Sequence, residues 1–376
     1  MIEAKRIRQR ITYLLMLFVL LCPFVLRFTG EGKLLSSVLG IIGIFVFLVI
    51  CSVINFKAIN KRDWIILLVS LFFLFVSVII NKSYGVVVTF LNMSLFLLVL
   101  NNVSFSIRQV ELIRLITIVL LYLLITSFKF RKKYGVLWVY DGYDELNLNT
   151  YGLLLFMLYL NLACFLDLII KKRLIKGIIF VGLTVFSLYN IWETACRSAI
   201  VSLIFFCGLL LVDRCNYKKV LLVLVFAGLL VPVFYISLYE ILGSIEFLGK
   251  SLYTGREIVW LNTWEAIKSS IILGSGTGVG ILSVDGELTD SAHNIYLGFW
   301  KTVGIVPMLS FVWFLLRGRN SATVTPQNLV AKKAFLCCMV VCMVETLIND
   351  SNFNFLVMLL LINVENSRSS RERVLR

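Results

Sequence analysis

The chain has 376 residues, of which 60% are hydrophobic and 15% charged, and its mean hydropathy is +0.95. Because a soluble domain is about 45–50% apolar and about 25% charged, this composition excludes an ordinary soluble globular protein. The formal net charge of +15 does not require a nucleic acid partner, since a membrane protein with basic cytoplasmic loops carries the same excess.

Apolar segments that approach the roughly 20 residues of a membrane-crossing helix recur along the chain. We therefore predict an all-α, polytopic membrane helix bundle of about 12 transmembrane helices, forming a single integral membrane domain over residues 1–376. The predicted spans are 11–28, 34–56, 64–81, 85–101, 111–129, 150–170, 175–192, 198–213, 219–239, 294–316, 329–348 and 353–365. The first span has no small-residue cleavage site, so we interpret it as a retained helix and not a signal peptide.

Basic residues predict the orientation of the bundle. They concentrate in alternate loops, such as KAINKRD (57–63) and KKRL (171–174), and in the C-terminal tail. The positive-inside rule then puts both termini in the cytoplasm. One outer loop is an exception, because KFRKK (129–133) places four basic residues on the disfavoured side.

Residues 240–292 form the long extracytoplasmic loop that this orientation places between transmembrane helices 9 and 10. Within it, Ile258, Trp264 and Ile267 recur near helical spacing, which predicts a short amphipathic helix along the membrane surface. The following GSGTGVG (274–280) lacks the GK[ST] of a phosphate loop, so we interpret it as a flexible or re-entrant turn.

Several polar residues gather at the predicted outer face. His293, the single histidine, begins a predicted span in TDSAHNIYLGFWKTVGIVP. Taken alone, a histidine at a helix start is more often a cap or a packing residue than a catalyst. Arg197 and Arg256 project towards the same face, and the planar guanidinium group matches phosphate oxygens bidentately. A neutral imidazole beside such cations is available as a general base for chemistry on a lipid-linked diphosphate.

Further polar residues are candidates to support this site. They are Glu193, Asp290, Asn294, Lys301 and Asn149. Glu193 lies four residues before Arg197 and could pair with it. Asp290 could orient His293 or cap the helix, and Lys301 could extend towards either of them. The asparagine at the outer start of the sixth predicted span is explained equally well by a cap or a turn.

Four segments follow one another over roughly residues 145–316: NLNTYG, TACRSAI, TGREIVWLNTWEAIKSSIILGSGTG and AHNIYLGFWKTVGIVP. The first segment has an asparagine at a helix start, and the second has an arginine followed by small residues. The third combines Gly-Arg, tryptophan and a Gly-x-Gly turn, and the fourth begins a helix with His-Asn. In these motifs and their order the chain resembles the O-antigen polymerase and ligase superfamily, the Wzy-like membrane glycosyltransferases. Cys196 stands where that family usually has serine, which leaves the neighbouring hydrogen bonding open.

The resemblance implies a metal-independent membrane glycosyltransferase that uses no cofactor. Such an enzyme lies in the bacterial cytoplasmic (inner) membrane and moves glycan en bloc from an undecaprenyl-diphosphate donor to an acceptor sugar, with inversion. His293 would take the proton of the acceptor hydroxyl, and Arg197 and Arg256 would hold the donor diphosphate and neutralise its developing charge. The expected partners are these lipid-linked glycans, membrane lipid, a chain-length regulator and a flippase, with no nucleic acid.

The sequence leaves other functions open beside a polymerase of capsule, exopolysaccharide or O-antigen, which we favour. A ligase that passes finished glycan to another acceptor would carry the same motifs, because they do not encode the acceptor. A lipid-linked oligosaccharide flippase or a solute transporter predicts charges near the bilayer midplane and repeat symmetry, whereas the ionisable residues here gather at the outer face. In a non-catalytic scaffold, the convergence of one histidine and two arginines would be accidental.

Overall fold

The computed structural model describes Tyr13 and residues 60–95, 97–98, 104–127, 129–133, 136–140, 145–146, 148–212, 216–238, 241, 245–247, 250–251, 255–277, 280–282, 288–289, 292–317, 329–345, 357, 360–361 and 363–364. These residues are mainly helical, with a few short strands, in agreement with the predicted all-α bundle. Apart from Tyr13, the first two predicted spans lie outside the described residues, as does most of the last, so the number of 12 spans stays a prediction.

The helices follow one another through short connections in much of the described chain. In chain order they are α1 (Lys61–Asn81), α2 (Gly85–Phe90, continued by a π-helix at Leu91–Leu95), α3 (Ile107–Ser127), α4 (Leu148–Ile169), α5 (Arg173–Glu193), α6 (Arg197–Leu211), α7 (Tyr217–Ser237), α8 (Arg256–Ser269), α9 (Ile295–Val303), α10 (Ile305–Arg317) and α11 (Leu329–Val341). Helix α8 lies within the predicted loop 240–292.

The strands are short and, except for the last, belong to the connections between helices. They are β1 (Ser104–Phe105), β2 (Lys129–Lys133), β3 (Val136–Tyr140), β4 (Glu145–Leu146), β5 (Glu246–Phe247), β6 (Lys250–Ser251), β7 (Ile281–Leu282), β8 (Leu288–Thr289) and β9 (Asn363–Val364). Strands β2, β3 and β4 form a three-stranded antiparallel sheet. Strands β5 and β6, and β7 and β8, pair antiparallel, whereas β1 pairs with β9 in parallel.

Within the described residues, five helices, α1, α3, α4, α5 and α7, are long and apolar enough to cross a membrane. Each has 21 or 22 residues. At about 1.5 Å per residue, such a helix is roughly 32 Å long, enough for a hydrocarbon core of about 30 Å. In the most apolar stretch of α5, only 6% of the residues are buried inside the protein, as expected for a helix that faces lipid. The chain is therefore a multi-pass membrane protein.

The tenth predicted span is not one helix but two, α9 and α10, separated at Gly304. This residue has φ 84° and ψ 174°, a conformation that side chains with a Cβ rarely adopt. The N–H of Ile305 donates to the carbonyl oxygen of Ile271 at 3.0 Å, and the N–H of Ser275 donates to that of Lys301 at 2.7 Å. The segment after α8 thus satisfies backbone groups that the helix break leaves without partners in the helix.

Helix α11 packs against α4, α6 and α7. Most of its side chains are buried, including the charged Lys333. The predicted span 329–348 ends as a helix earlier, at Val341, and continues as a turn that reaches Glu345. Because α11 is held by three neighbours, this turn has a defined place at one end of the bundle.

Buried polar side chains join helices elsewhere in the bundle. Asp63 of α1 accepts a hydrogen bond from Trp313 Nε1 at 3.2 Å and pairs with Arg317, both in α10. Arg114 of α3 donates to Asn161 Oδ1 of α4 at 3.4 Å. Contacts of this kind hold membrane helices together where lipid removes the hydrophobic drive for association.

Candidate functional site

His293 lies at the junction between the long loop and α9, in a left-handed backbone conformation. Its φ of 46° is uncommon for a residue with a side chain. Such a conformation costs on the order of 1–3 kcal/mol and persists only where the surrounding contacts impose it. The His293 side chain is 39% exposed, so it is accessible to a substrate.

Contacts on both sides of His293 impose this conformation. Trp260 Nε1 of α8 donates a hydrogen bond to the carbonyl oxygen of Ala292 at 2.8 Å. The N–H of Ile295 donates to the carbonyl oxygen of Cys342, in the turn after α11, at 3.0 Å. The residues that flank His293 are therefore anchored to two different elements.

Asn294 fixes the same junction from a fully buried position. Its side-chain oxygen accepts from the N–H groups of Tyr296 and Leu297 at 2.9 and 3.0 Å, which caps α9. Its side-chain nitrogen donates to the carbonyl oxygens of Gly228 and Met343, both at 2.8 Å. Asn294 therefore links α7, α9 and the turn after α11, and these contacts give it a structural role.

Glu345 lies between His293 and Arg256. Its Oε2 is 3.4 Å from Nδ1 of His293, and its Oε1 accepts a hydrogen bond from Nη2 of Arg256, the first residue of α8. Only 14% of the Glu345 side chain is exposed. A single carboxylate thus contacts two residues that the sequence predicts for the site.

The charge of Glu345 follows from its surroundings. Burial alone raises the pKa of its carboxyl group, because a low-dielectric environment disfavours the ionised form. The hydrogen bond from His293 and the positive charge of Arg256 outweigh burial, so the pKa of Glu345 lies below its ordinary value. Glu345 is therefore an anion at neutral pH.

Arg197 is the first residue of α6 and follows a tight turn from α5. In this turn Ala195 adopts a φ of 50°, and Cys196 is buried. Burial raises the pKa of the Cys196 thiol, so the thiol is uncharged at neutral pH. A Cβ on Gly152 of α4 would lie 2.5 Å from Cys196 Cβ, which shows that α4 packs directly against the turn.

Arg197 is electrostatically linked to the same group of residues. Its positive charge and that of Arg256 are close enough to repel each other. Tyr235 of α7 also interacts with Arg197, and its ring lies edge-on to that of Trp260, with 5.0 Å between centroids. Two guanidinium groups from different helices thus lie near one another, and one of them, that of Arg256, pairs with Glu345.

The other candidate residues differ in their burial and in the elements that carry them. Glu193 is exposed at the end of α5, on a different helix from the arginine four residues later. Asn149 is half-buried in the first turn of α4, and Lys301 is buried in α9. Asp290 and the side chains of 129–133 lie outside the described residues. Across the residues that the structure describes, no group of three His, Cys, Asp or Glu side chains could hold a metal ion.

Glu345 is absent from the residues that the sequence predicts for the site. It lies in MVETLIND, inside a predicted span and 52 residues after His293. An ionisable residue within a predicted membrane helix is costly in lipid, and this is the signal that could have identified it. Its partners could not be inferred in the same way, because they depend on how α11 packs.

Comparison with known proteins bears on the same part of the chain. Residues 182–312 match the model of the family described as O-antigen ligase, and this range contains Arg197, Arg256 and His293. No curated protein and no solved structure matches the chain significantly. The match indicates a ligase- or polymerase-like function at a membrane. Over these residues the predicted resemblance to the O-antigen polymerase and ligase superfamily is confirmed.

Proposed function

We propose that the chain polymerises undecaprenyl-diphosphate-linked oligosaccharide repeat units into a surface polysaccharide at the outer face of the cytoplasmic membrane. The observation that carries this proposal is the carboxylate of Glu345, which contacts both His293 and Arg256. The cluster combines a base, an anion that orients it and a cation for the leaving group. The similarity of residues 182–312 to O-antigen ligases supports a lipid-linked glycan as the substrate.

Arg197 and Arg256 bind the donor diphosphate in this proposal. A guanidinium group offers parallel N–H donors to phosphate oxygens and keeps its charge throughout the physiological pH range. Because the two arginines repel each other, an anion between them relieves the repulsion. Both cations then neutralise the negative charge that builds on the diphosphate as its oxygen leaves the anomeric carbon.

His293 is the general base. With its Nδ1–H donated to Glu345, the neutral ring carries its lone pair on Nε2. Nε2 takes the proton of the acceptor hydroxyl while the hydroxyl oxygen attacks the anomeric carbon. The attack comes from the face opposite the diphosphate, so the configuration inverts. Glu345 stabilises the resulting imidazolium ion through the same hydrogen bond.

A ligase that transfers finished glycan to a different acceptor is the second candidate. The description of the matched family favours it, and it would bind the donor with the same residues. A flippase or transporter is the candidate of another class, and it needs no general base. The polymerase and the ligase therefore differ in their products, and the flippase or transporter differs from both because it does not depend on His293 as a base.

The test is glycan elongation by the purified full-length chain. Lipid-linked repeat units are supplied in detergent with EDTA, and the products are separated by size. A polymerase produces a ladder of longer glycans from this single substrate. A ligase glycosylates only an added acceptor, and a flippase moves intact lipid between the leaflets of a vesicle. Either of these activities without a ladder would exclude the polymerase.

His293→Ala tests the assignment of the base. Loss of a general base should lower the elongation rate by about 10²- to 10⁴-fold, because the acceptor hydroxyl keeps its proton. Lys268→Ala, on the exposed face of α8, is the control and should elongate as wild type does. Wild-type elongation by His293→Ala would exclude His293 as the base.

A further inference from the structure

Four lysines lie together where α7 and α11 begin, at the end of these helices remote from His293. Lys218 and Lys219 belong to the first turn of α7, and Lys332 and Lys333 to the start of α11. The Nζ atom of Lys332 lies 5.7 Å from the centroid of the Tyr217 ring, so the two helix starts are adjacent. We call these four residues the lysine cluster.

Lys333 has a structural role within the lysine cluster. Its side chain is buried, and Nζ donates a hydrogen bond to the carbonyl oxygen of Val212 at 2.8 Å. Val212 caps the C-terminal end of α6, where the helix dipole favours a positive charge. Lys333 therefore joins α11 to α6.

Lys218 and Lys332 have a different environment. Both are half-buried, and the positive charge of Lys218 acts on Lys332. Among the described residues, no acidic side chain pairs with either of them. The N-terminal ends of α7 and α11 add positive potential at the same place. An anion between the two lysines would relieve this repulsion.

An apolar strip on α7 continues from the lysine cluster. Val223, Phe226 and Leu230 follow Lys219 at helical spacing and are 64%, 57% and 48% exposed. Because α7 is one of the helices long enough to cross a membrane, its first turn lies at headgroup level and this strip at the level of the acyl chains. The arrangement matches a molecule with an anionic head and an apolar tail.

We propose that Lys218 and Lys332 bind the phosphodiester of an anionic bilayer lipid, with an acyl chain along Val223, Phe226 and Leu230. The aromatic ring of Tyr217 holds the Lys332 ammonium group beside the helix starts. This lipid site is separate from the glycan site. Gly228, which contacts Asn294 next to His293, is 11 residues beyond Tyr217, or roughly 16 Å along α7 at about 1.5 Å per residue. Lipid binding at this site is independent of the proposed reaction.

Native mass spectrometry of the full chain, released from detergent with added phosphatidylglycerol, tests this site. We expect the wild type to retain the lipid, and Lys218→Gln combined with Lys332→Gln to weaken its binding by about 10- to 30-fold. The Lys218→Arg and Lys332→Arg pair keeps both charges and should retain the lipid. Elongation activity, measured in parallel, should be the same in all these variants.

Three controls separate a lipid site from general electrostatic attraction. Lys171→Gln with Lys172→Gln removes two exposed lysines from the connection before α5 and should leave binding unchanged. Phosphatidylcholine should be retained less than phosphatidylglycerol, because it carries no net charge. Soluble glycerol phosphate should not displace the lipid, since it lacks the acyl chain. Equal loss in both lysine pairs, equal retention of the two lipids, or displacement by glycerol phosphate would each overturn the proposal.

Discussion

At the scale of single residues, the carboxylate of Glu345 contacts both His293 and Arg256. Glu345→Gln keeps the length of the side chain but removes its negative charge, so a protonated His293 loses its counter-ion and Arg256 loses its ion pair. In enzymes where a carboxylate orients the catalytic histidine, neutralising that carboxylate lowers the rate strongly. The elongation rate at saturating donor should therefore fall about 100-fold or more. The initial rate of ladder formation measures this loss.

Glu345→Asp is the matched control for this substitution. It keeps the charge on a side chain that is one methylene shorter, and should therefore retain more activity than Glu345→Gln. Melting temperatures of both variants show whether the fold is intact. If both variants are folded and equally inactive, the position of the carboxylate matters and its charge does not, which contradicts its role as a counter-ion.

Among the helices, α9 and α10 depend on the break at Gly304. A Cβ at this position would lie 2.0 Å from the carbonyl oxygen of Ile272, and a φ of 84° is itself unfavourable for alanine. Gly304→Ala should therefore lower the free energy of unfolding by more than about 3 kcal/mol, since backbone strain and a steric clash combine. A large fall in melting temperature in detergent is the expected result.

Gly182→Ala in α5 is the control for Gly304→Ala. A Cβ on Gly182 meets nothing within 4 Å. Alanine is preferred to glycine inside a helix by about 1 kcal/mol, so this variant should be at least as stable as the wild type. Equal melting temperatures for Gly304→Ala and the wild type would contradict the close contact with Ile272.

The long helices are largely predictable from the sequence, whereas the break and the full site are not. Apolar composition is local, so the hydropathy of the chain predicts α1, α3, α4, α5 and α7. The break at Gly304 depends on the carbonyl oxygen of Ile271, which a distant segment supplies. His293 and Arg256 stand out as polar residues beside apolar runs. Glu345 lies within such a run, and only the packing of α11 brings it to them.

The bundle as a unit carries different groups of charged residues at its two ends. Helix α5 ends at the turn that precedes Arg197, and α9 begins next to His293, so the last turn of α5 and the first turn of α9 lie on the side of Glu345. At the start of α5, Lys176 pairs with Asp167 of α4 at 2.6 Å, and the lysine cluster lies where α7 begins. This separation places the proposed glycan site and the proposed lipid site at different levels of the bundle.

Cysteine labelling tests which end faces outward. Lys268→Cys in α8 and Lys172→Cys before α5 introduce thiols at exposed positions, the first in the predicted extracytoplasmic loop and the second in a predicted cytoplasmic loop. In sealed right-side-out vesicles, a membrane-impermeant maleimide should label Lys268→Cys, whereas Lys172→Cys should react only after detergent is added. The wild-type chain, measured in parallel, gives the background from its own cysteines. The basic loops predict this orientation, and the reverse pattern would put His293 on the cytoplasmic side and exclude polymerisation at the outer face.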